Sequence, residues 1–174
     1  QKVDKSRWSM TPQTINAYYN PTANEIVFPA AILQAPFYDY EASKAKNYGG
    51  IGAVIGHEIT HAFDDEGSKF DEMGNLKDWW TREDRKNYEK RTEALAKQYS
   101  RYKSGDGKIN GKLTLGENIA DLGGVSVALE IVNNENSDNL EEFFEAYAVI
   151  WRNLVTKERE SYLVKIDPHS PGRY

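Results

Sequence analysis

The residues HEITH at positions 57–61 lie within an apolar stretch, GGIGAVIGHEITHAF, that spans residues 49–63. Its apolar residues predict a buried helix, and positions four residues apart share one face of a helix, so both imidazoles can bind one metal ion. Glu58 follows the first histidine, where its carboxylate can hold and deprotonate a water molecule on that metal. We therefore expect a zinc-binding helix that is buried by four apolar side chains: Val54, Ile55, Ile59 and Phe63.

The composition argues against three classes of protein. The 174 residues include 22 Lys and Arg against 27 Asp and Glu, a net charge of −5, whereas a nucleic-acid groove needs a clustered positive surface. No cysteine is present, which excludes a disulfide framework and a thiolate metal site. The apolar run at 49–56 is too short to span a bilayer. We expect no nucleic-acid binding and no membrane segment in this part of the protein.

The third metal ligand is expected among the acidic residues. A third histidine shortly after the second would need glycine and histidine where Asp64 and Gly67 stand, and the only other histidine is His169. Glu117 and Asp121 lie four residues apart, on one face of a predicted apolar helix. Burial of both carboxylates would require a metal or a cation. Glu117 as ligand and Asp121 as acceptor for a ligand imidazole would meet that need, and a solvent-exposed acidic edge is the alternative.

Four further stretches predict a mainly α fold with a small β component. Turn residues at 20–24 between strand-forming residues predict a hairpin over 15–28. Thr81 is the predicted N-cap of a charged amphipathic helix over 81–102. Two more helices are expected over 117–131 and 138–156, the second with Asp138 and Glu141 as a capping box. We expect an α+β fold in which helix dominates and the two metal-bearing helices pack together.

Four motifs occur in order along the chain: NAYY at 16–19, HEITHAFDD at 57–65, GENIADLGG at 116–124 and HSPG at 169–172. Together they resemble the catalytic domain of the neprilysin family of zinc endopeptidases, which includes endothelin-converting enzyme and bacterial oligopeptidase O. The resemblance implies a thermolysin-like zincin fold of the gluzincin type, with one Zn²⁺ per chain. It also implies that residues 1–174 are a single catalytic-domain fragment, with an N-terminal helical domain and the extreme C-terminus outside the sequence.

The resemblance also implies roles for individual residues of the site. His57, His61 and Glu117 would bind zinc, and Glu58 would be the general base. The remaining three would act around them. Asp121 would orient the first zinc histidine, Asp64 would do the same for the second, and His169 would stabilise the oxyanion of the tetrahedral intermediate.

Substrate-binding residues are implied by the same resemblance. Asn16 and Ala17 match the family's substrate clamp, and an edge strand there can pair with a peptide that adds as an antiparallel strand. An apolar pocket for the residue after the cleaved bond is also implied, although such residues belong to a core more often than to a pocket. Its lining would be Ile32, Phe37, Val54, Ile150 and Trp151.

The function implied is that of a zinc endopeptidase that hydrolyses short oligopeptides by attack of a metal-activated water, on the amino side of bulky hydrophobic residues. A zinc-holding fragment that binds peptides without cleaving them is the alternative. A helical interaction module without metal would leave the two histidines and the paired acids unexplained. Animal family members are ectodomains with disulfides, so the lack of cysteine favours a bacterial, cytoplasmic protein. A signal or anchor in a preceding part of the protein is left open.

Overall fold

The computed structural model describes residues 3–134 and 139–174, and helix dominates this part of the chain. In chain order the helices are α1 (Lys44–Asn47), α2 (Ala53–Thr60), α3 (Arg82–Tyr99), α4 (Leu115–Asn134), α5 (Leu140–Ile150) and α6 (Lys157–Ile166). Two antiparallel pairs of short strands accompany them: β1 (Tyr18–Asn20) with β2 (Glu25–Val27), and β3 (Lys103–Ser104) with β4 (Gly107–Lys108). None of the described helices is long and apolar enough to cross a membrane.

The predicted N-terminal hairpin is confirmed. Tyr18 pairs with Val27 and Asn20 pairs with Glu25, which leaves four residues to form the turn. One of them, Asn24, has a φ of 45°, a left-handed conformation that asparagine adopts more readily than most residues. The turn chemistry read from the sequence therefore places β1 and β2 correctly.

Helices α2 and α4 pack against each other at unusually close range because glycine occupies the contact from both sides. A methyl group on Gly56 would lie 2.8 Å from the Cα atom of Gly124, and one on Gly124 would lie 2.6 Å from the backbone nitrogen of His57. Real Cβ atoms do not approach other atoms so closely, so only glycine permits this packing. The two metal-bearing helices thus lie together, as expected.

Four apolar residues of the segment that contains α2 were predicted to be buried, and this prediction is wrong for three of them. Val54 is buried, but Ile55, Ile59 and Phe63 are 39%, 50% and 47% exposed. These three follow one another at four-residue intervals, so they share one face of the helical segment. The buried face consists instead of small residues together with His57 and Glu58, because the glycine contact turns that face toward α4.

Helix α3 and its cap are confirmed, since the hydroxyl of Thr81 accepts a hydrogen bond from the backbone N–H of Asp84. Helix α4 is longer than predicted. The helix predicted over 138–156 is wrong beyond Ile150: residues 151–156 are irregular, and α6 then begins after its own N-cap, Thr156. The proposed cap Asp138 lies outside the described residues, and Asn139 caps α5 by accepting from the backbone N–H of Glu142.

Candidate metal centre

Three side chains from α2, its C-terminal turn and α4 converge on one point. The Nε2 atoms of His57 and His61 are 2.9 Å apart. Oε2 of Glu117 lies 3.3 Å from the first of these nitrogens and 3.5 Å from the second. Ligand atoms bound to one tetrahedral zinc ion lie about 3.3 Å from one another. The three atoms therefore already have the spacing of a metal-ligand set, and they form a group able to hold a metal ion.

The carboxylate of Glu117 supplies an independent test of that fit. Its Oε2 atom is buried and makes no well-formed hydrogen bond, although a buried carboxylate oxygen without a partner is costly. Two imidazoles and one carboxylate are also the donor set of many catalytic zinc sites. The residues present thus fit zinc, and the unpartnered oxygen is explained as the third ligand atom.

The other ring nitrogen of each histidine, Nδ1, is hydrogen-bonded to a carboxylate outside the ligand set. Nδ1 of His57 lies 2.8 Å from Oδ1 of Asp121, and Nδ1 of His61 lies 2.6 Å from Oδ2 of Asp64. The other oxygen of Asp64 accepts from the backbone N–H groups of Glu66 and Gly67, at 2.8 and 2.6 Å. With the proton kept on Nδ1, both Nε2 atoms are free to bind a metal. The structure brings Asp121 and Asp64 to the positions that the sequence analysis expected.

These contacts keep protons on the two histidines of the metal-free protein. Burial acts to lower the pKa of His57, but the hydrogen bond to Asp121 and the nearby carboxylate of Glu117 outweigh it and raise the pKa to about 9. Burial likewise acts to lower the pKa of His61, but the hydrogen bond to Asp64 and the same Glu117 carboxylate raise it to about 10. Burial acts to raise the pKa of Glu117, but the two imidazoles hold it well below its usual range. A metal ion must therefore displace protons to bind here.

Glu58 lies next to the ligand set and is 5% exposed. Burial raises the pKa of its carboxyl, while the charges of His57 and His61 oppose that rise. A raised pKa makes a carboxylate a stronger base, which suits a group that takes and returns a proton. The backbone of Tyr19, in β1, lies near this carboxylate and acts to lower its pKa. The strand next to the predicted substrate clamp therefore lies beside the predicted base, a neighbour that the sequence pattern did not indicate.

His169 reaches the site from the other end of the chain. Its Nε2 lies 3.4 Å from Oε2 of Glu117, and its Nδ1 lies 2.8 Å from Oδ1 of Asp167. The side chain is 60% exposed, so its ring faces open space beside the metal ligands. The structure therefore brings this histidine beside the predicted metal ligands, and its role as oxyanion donor stays a prediction.

The predicted substrate residues lie on one side of the site. Asn16 is exposed, Ala17 is buried, and both directly precede β1. Among the described residues β1 pairs with β2 alone, which leaves its other edge for a peptide. The five predicted pocket residues pack with Ala17 in a single apolar cluster, so proximity is confirmed while their contact with substrate stays a prediction. They are Ile32, Phe37, Val54, Ile150 and Trp151.

Two polar residues next to the site were missed. Asn118 follows the predicted ligand Glu117 and is only 2% exposed, and its side chain binds that of Ser170, which follows His169. A signal existed in the sequence, because an asparagine among apolar residues of a helix needs a hydrogen-bond partner if it is buried. Its partner is 52 positions away, and the pattern gives no indication of it.

The chain matches known proteins over nearly its whole length. The profile of peptidase family M13 matches residues 16–174. The neutral endopeptidase of Lactococcus lactis is 46% identical over 99% of this chain and 28% of its own length. Human endothelin-converting enzyme 1 is 46% identical over 98% of this chain and 24% of its own length. The chain thus spans about a quarter of the length of these relatives.

Solved structures confirm the predicted fold class. The inhibitor complex of the zinc metalloprotease Zmp1 of Mycobacterium tuberculosis has a TM-score of 0.91 and 49% identity, covering 98% of this chain and 28% of that one. PepO of Lactobacillus rhamnosis has a TM-score of 0.94 and 40% identity, covering 99% of this chain and 28% of that one. The mostly helical architecture with small hairpins is therefore that of a zinc metalloprotease.

Proposed function

The chain belongs to peptidase family M13, the neprilysin family, and from this premise we propose that it carries the metal site of a zinc endopeptidase that cleaves oligopeptides. One observation supports this more than any other: the ligand atoms of His57, His61 and Glu117 converge while the carboxylate of Glu58 lies beside them. Zinc held by these three residues would lower the pKa of a bound water toward about 7 and polarise the carbonyl of the peptide.

The protein's own residues then move the protons. Glu58 accepts a proton from the attacking water at its carboxylate and passes it to the nitrogen of the leaving amine, as a general base and then a general acid. Asp121 and Asp64 keep the Nδ1 protons of the two histidines in place, so both Nε2 atoms stay directed at the metal. His169 donates a hydrogen bond to the substrate's carbonyl oxygen as that oxygen gains negative charge.

The free edge of β1 supports a peptide substrate. A peptide that adds as a strand beside Asn16 and Ala17 would satisfy its backbone groups there and present a carbonyl to the metal site. A bulky apolar side chain after the cleaved bond would enter at the cluster that contains Trp151, whose ring lies 6.4 Å from that of His57. Cleavage on the amino side of such residues follows from that placement.

The test compares Glu58→Gln with wild type in the intact, zinc-loaded protein. We expect the variant to bind zinc normally and to lose peptide hydrolysis, because the amide cannot take the proton of the water. Glu89→Gln, on the exposed surface of α3, is the matched control and should cleave at the wild-type rate. Unchanged turnover in Glu58→Gln would contradict the mechanism. A wild-type protein that binds zinc and peptides without cleaving them would support the inert alternative instead.

A further inference from the structure

Two neighbouring contacts join α4 to the C-terminal segment formed by residues 167–174. Glu117 lies 3.4 Å from His169 through Oε2 and Nε2. One residue further along each chain segment, Oδ1 of Asn118 accepts a hydrogen bond of 2.7 Å from the hydroxyl of Ser170. Asn118 and Ser170, which follow the predicted zinc ligand and the predicted oxyanion donor in sequence, therefore bind each other.

A directed chain of hydrogen bonds fixes the orientation of the Asn118 amide. The hydroxyl of Thr114 donates to the carbonyl oxygen of Asn110 at 3.3 Å. The hydroxyl oxygen of Thr114 can then only accept, and it accepts from Nδ2 of Asn118 at 2.9 Å. The opposite end of the amide, Oδ1, is thereby directed at Ser170. After a half turn the amide would lose its bond to Thr114 as long as that hydroxyl donates to Asn110, whereas the Ser170 hydroxyl could still accept from Nδ2.

Because these hydrogen-bonded side chains are buried, they favour one position of the C-terminal segment. Asn118 and Thr114 are 2% and 3% exposed, so water cannot replace a lost partner as it would at the surface. A buried amide oxygen left without a donor is costly, whereas a satisfied one adds a modest stabilisation. The Asn118 amide therefore favours the single placement of the segment in which the Ser170 hydroxyl reaches it.

Apart from its 3.4 Å contact with Glu117, the hydrogen bonds of His169 do not fix it relative to α4. Its ring and its backbone N–H both bind the carboxylate of Asp167, which belongs to the same segment and moves with it. The far end of the segment is held elsewhere, where the hydroxyl of Tyr174 donates to the carbonyl oxygen of Lys103 at 2.7 Å. The bond between Asn118 and Ser170 is thus the short hydrogen bond that holds the backbone next to His169 against α4, beside the longer contact of His169 with the ligand Glu117.

We propose that Asn118 and Ser170 are positioning residues that hold the His169 ring at the metal site. This inference rests on the proposed function, because it concerns the placement of a donor for that reaction. A donor that stabilises developing charge acts only when it is held close to its productive position. Loss of the Ser170 hydroxyl should therefore affect the chemical step through His169 and leave peptide binding unaffected.

The experiment is a double-mutant cycle in the intact, zinc-loaded protein. Ser170→Ala should lower kcat by about fivefold to tenfold, the effect of one hydrogen bond, with KM changed less than about twofold. Ser170→Thr keeps the hydroxyl and should restore most of kcat. Combined with His169→Ala, the Ser170→Ala change should have no further effect, because it acts through the missing ring. Tyr174→Phe is the matched control: it removes one hydroxyl bond of the same segment and should leave kcat near wild type.

Crystal structures of zinc-loaded wild type and Ser170→Ala provide a readout that does not depend on turnover. We expect the variant's His169 ring to move away from Glu117 or to occupy two positions. An unmoved ring would overturn the inference, and so would an equal loss of kcat with and without His169. Absence of peptide cleavage in wild type would instead overturn the proposed function. The position of the His169 ring in the two crystal structures would still show whether Ser170 holds that ring in place.

Discussion

The helix pair α2–α4 and the C-terminal segment 167–174 hold their parts of the site by different means. In the helix pair, glycine lets two backbones pack closely at Gly56 and Gly124, and the metal ligands project from that rigid contact. In the segment, His169 is 60% exposed and depends on side-chain hydrogen bonds, mainly those of Ser170 and Asp167. The metal position is therefore set by backbone packing, whereas the placement of the oxyanion donor is set by a few polar contacts.

The largest effect should follow from separating the two helices. In Gly56→Ala the new methyl group would lie 2.8 Å from the Cα atom of Gly124, so the helices must move apart. Overpacking of this kind costs about 1–3 kcal/mol of stability, and the shift would also spread the ligand set. We expect a lower Tm and a loss of zinc affinity of at least about 100-fold, measured by thermal unfolding and chelator competition.

Gly107→Ala is the control for that substitution. A methyl group on Gly107, in β4, would meet Cγ1 of Val164 at 3.5 Å, an ordinary contact distance. The variant should keep the zinc affinity of wild type. If Gly56→Ala also kept it, close packing of α2 and α4 would not be what sets the metal position.

A smaller loss of zinc affinity is expected from Asp121→Asn. The amide keeps the shape of the side chain but binds the Nδ1 proton of His57 less strongly, and replacement of such carboxylates lowers metal affinity by about 10–100-fold. Isothermal titration with zinc measures the change. Asp106→Asn, on the exposed turn between β3 and β4, should change nothing. Equal affinities in all three proteins would mean that Asp121 does not support the ligand.

The protons held by the metal-free site predict a pH dependence of zinc binding. The pKa values of His57 and His61 are raised to about 9 and about 10, so at neutral pH zinc must displace protons. Because both histidines are protonated below about pH 9, zinc displaces two protons there, and its affinity should rise about 100-fold per pH unit between about pH 7 and pH 9. Histidines with ordinary pKa values would instead give an affinity that is nearly constant over that range. Chelator competition at several pH values distinguishes the two cases.

The smallest effect on zinc binding should come from the C-terminal segment. Ser170 hydrogen-bonds Asn118, a residue outside the ligand set, so Ser170→Ala should change zinc affinity by less than about twofold. The same titration used for Asp121→Asn measures it. A loss as large as that of Asp121→Asn would mean that the segment and the helix pair form one unit and do not hold the site by different means.

The metal site could be predicted from sequence because its information is local. The spacing of His57 and His61 and the spacing of Glu117 and Asp121 each lie within a single helical region, where four residues bring side chains to one face. The approach of His169 could not be predicted from such a pattern, since it depends on contacts between distant parts of the chain. Only the resemblance to a family suggested it.

The errors in the fold have physical causes as well. The exposure of Ile59 was missed because an apolar pattern shows which residues can be buried, while the contact between Gly56 and Gly124 decides which face is buried. Helix α6 was missed because its sequence, KERESYLVKI, is largely polar and none of its residues is buried. A tertiary contact therefore determines the first feature, whereas α6 begins at a local N-cap, Thr156, which apolar periodicity does not reveal.

The most direct test of the central claim is the zinc content of the purified protein with and without the carboxylate of Glu117. Wild type should hold about one zinc ion per chain, and Glu117→Gln should lose it or bind it at least about 100-fold more weakly. Glu130→Gln, on the exposed side of the same helix, should match wild type. Full zinc content and unchanged affinity in Glu117→Gln would contradict the two-histidine, one-glutamate site.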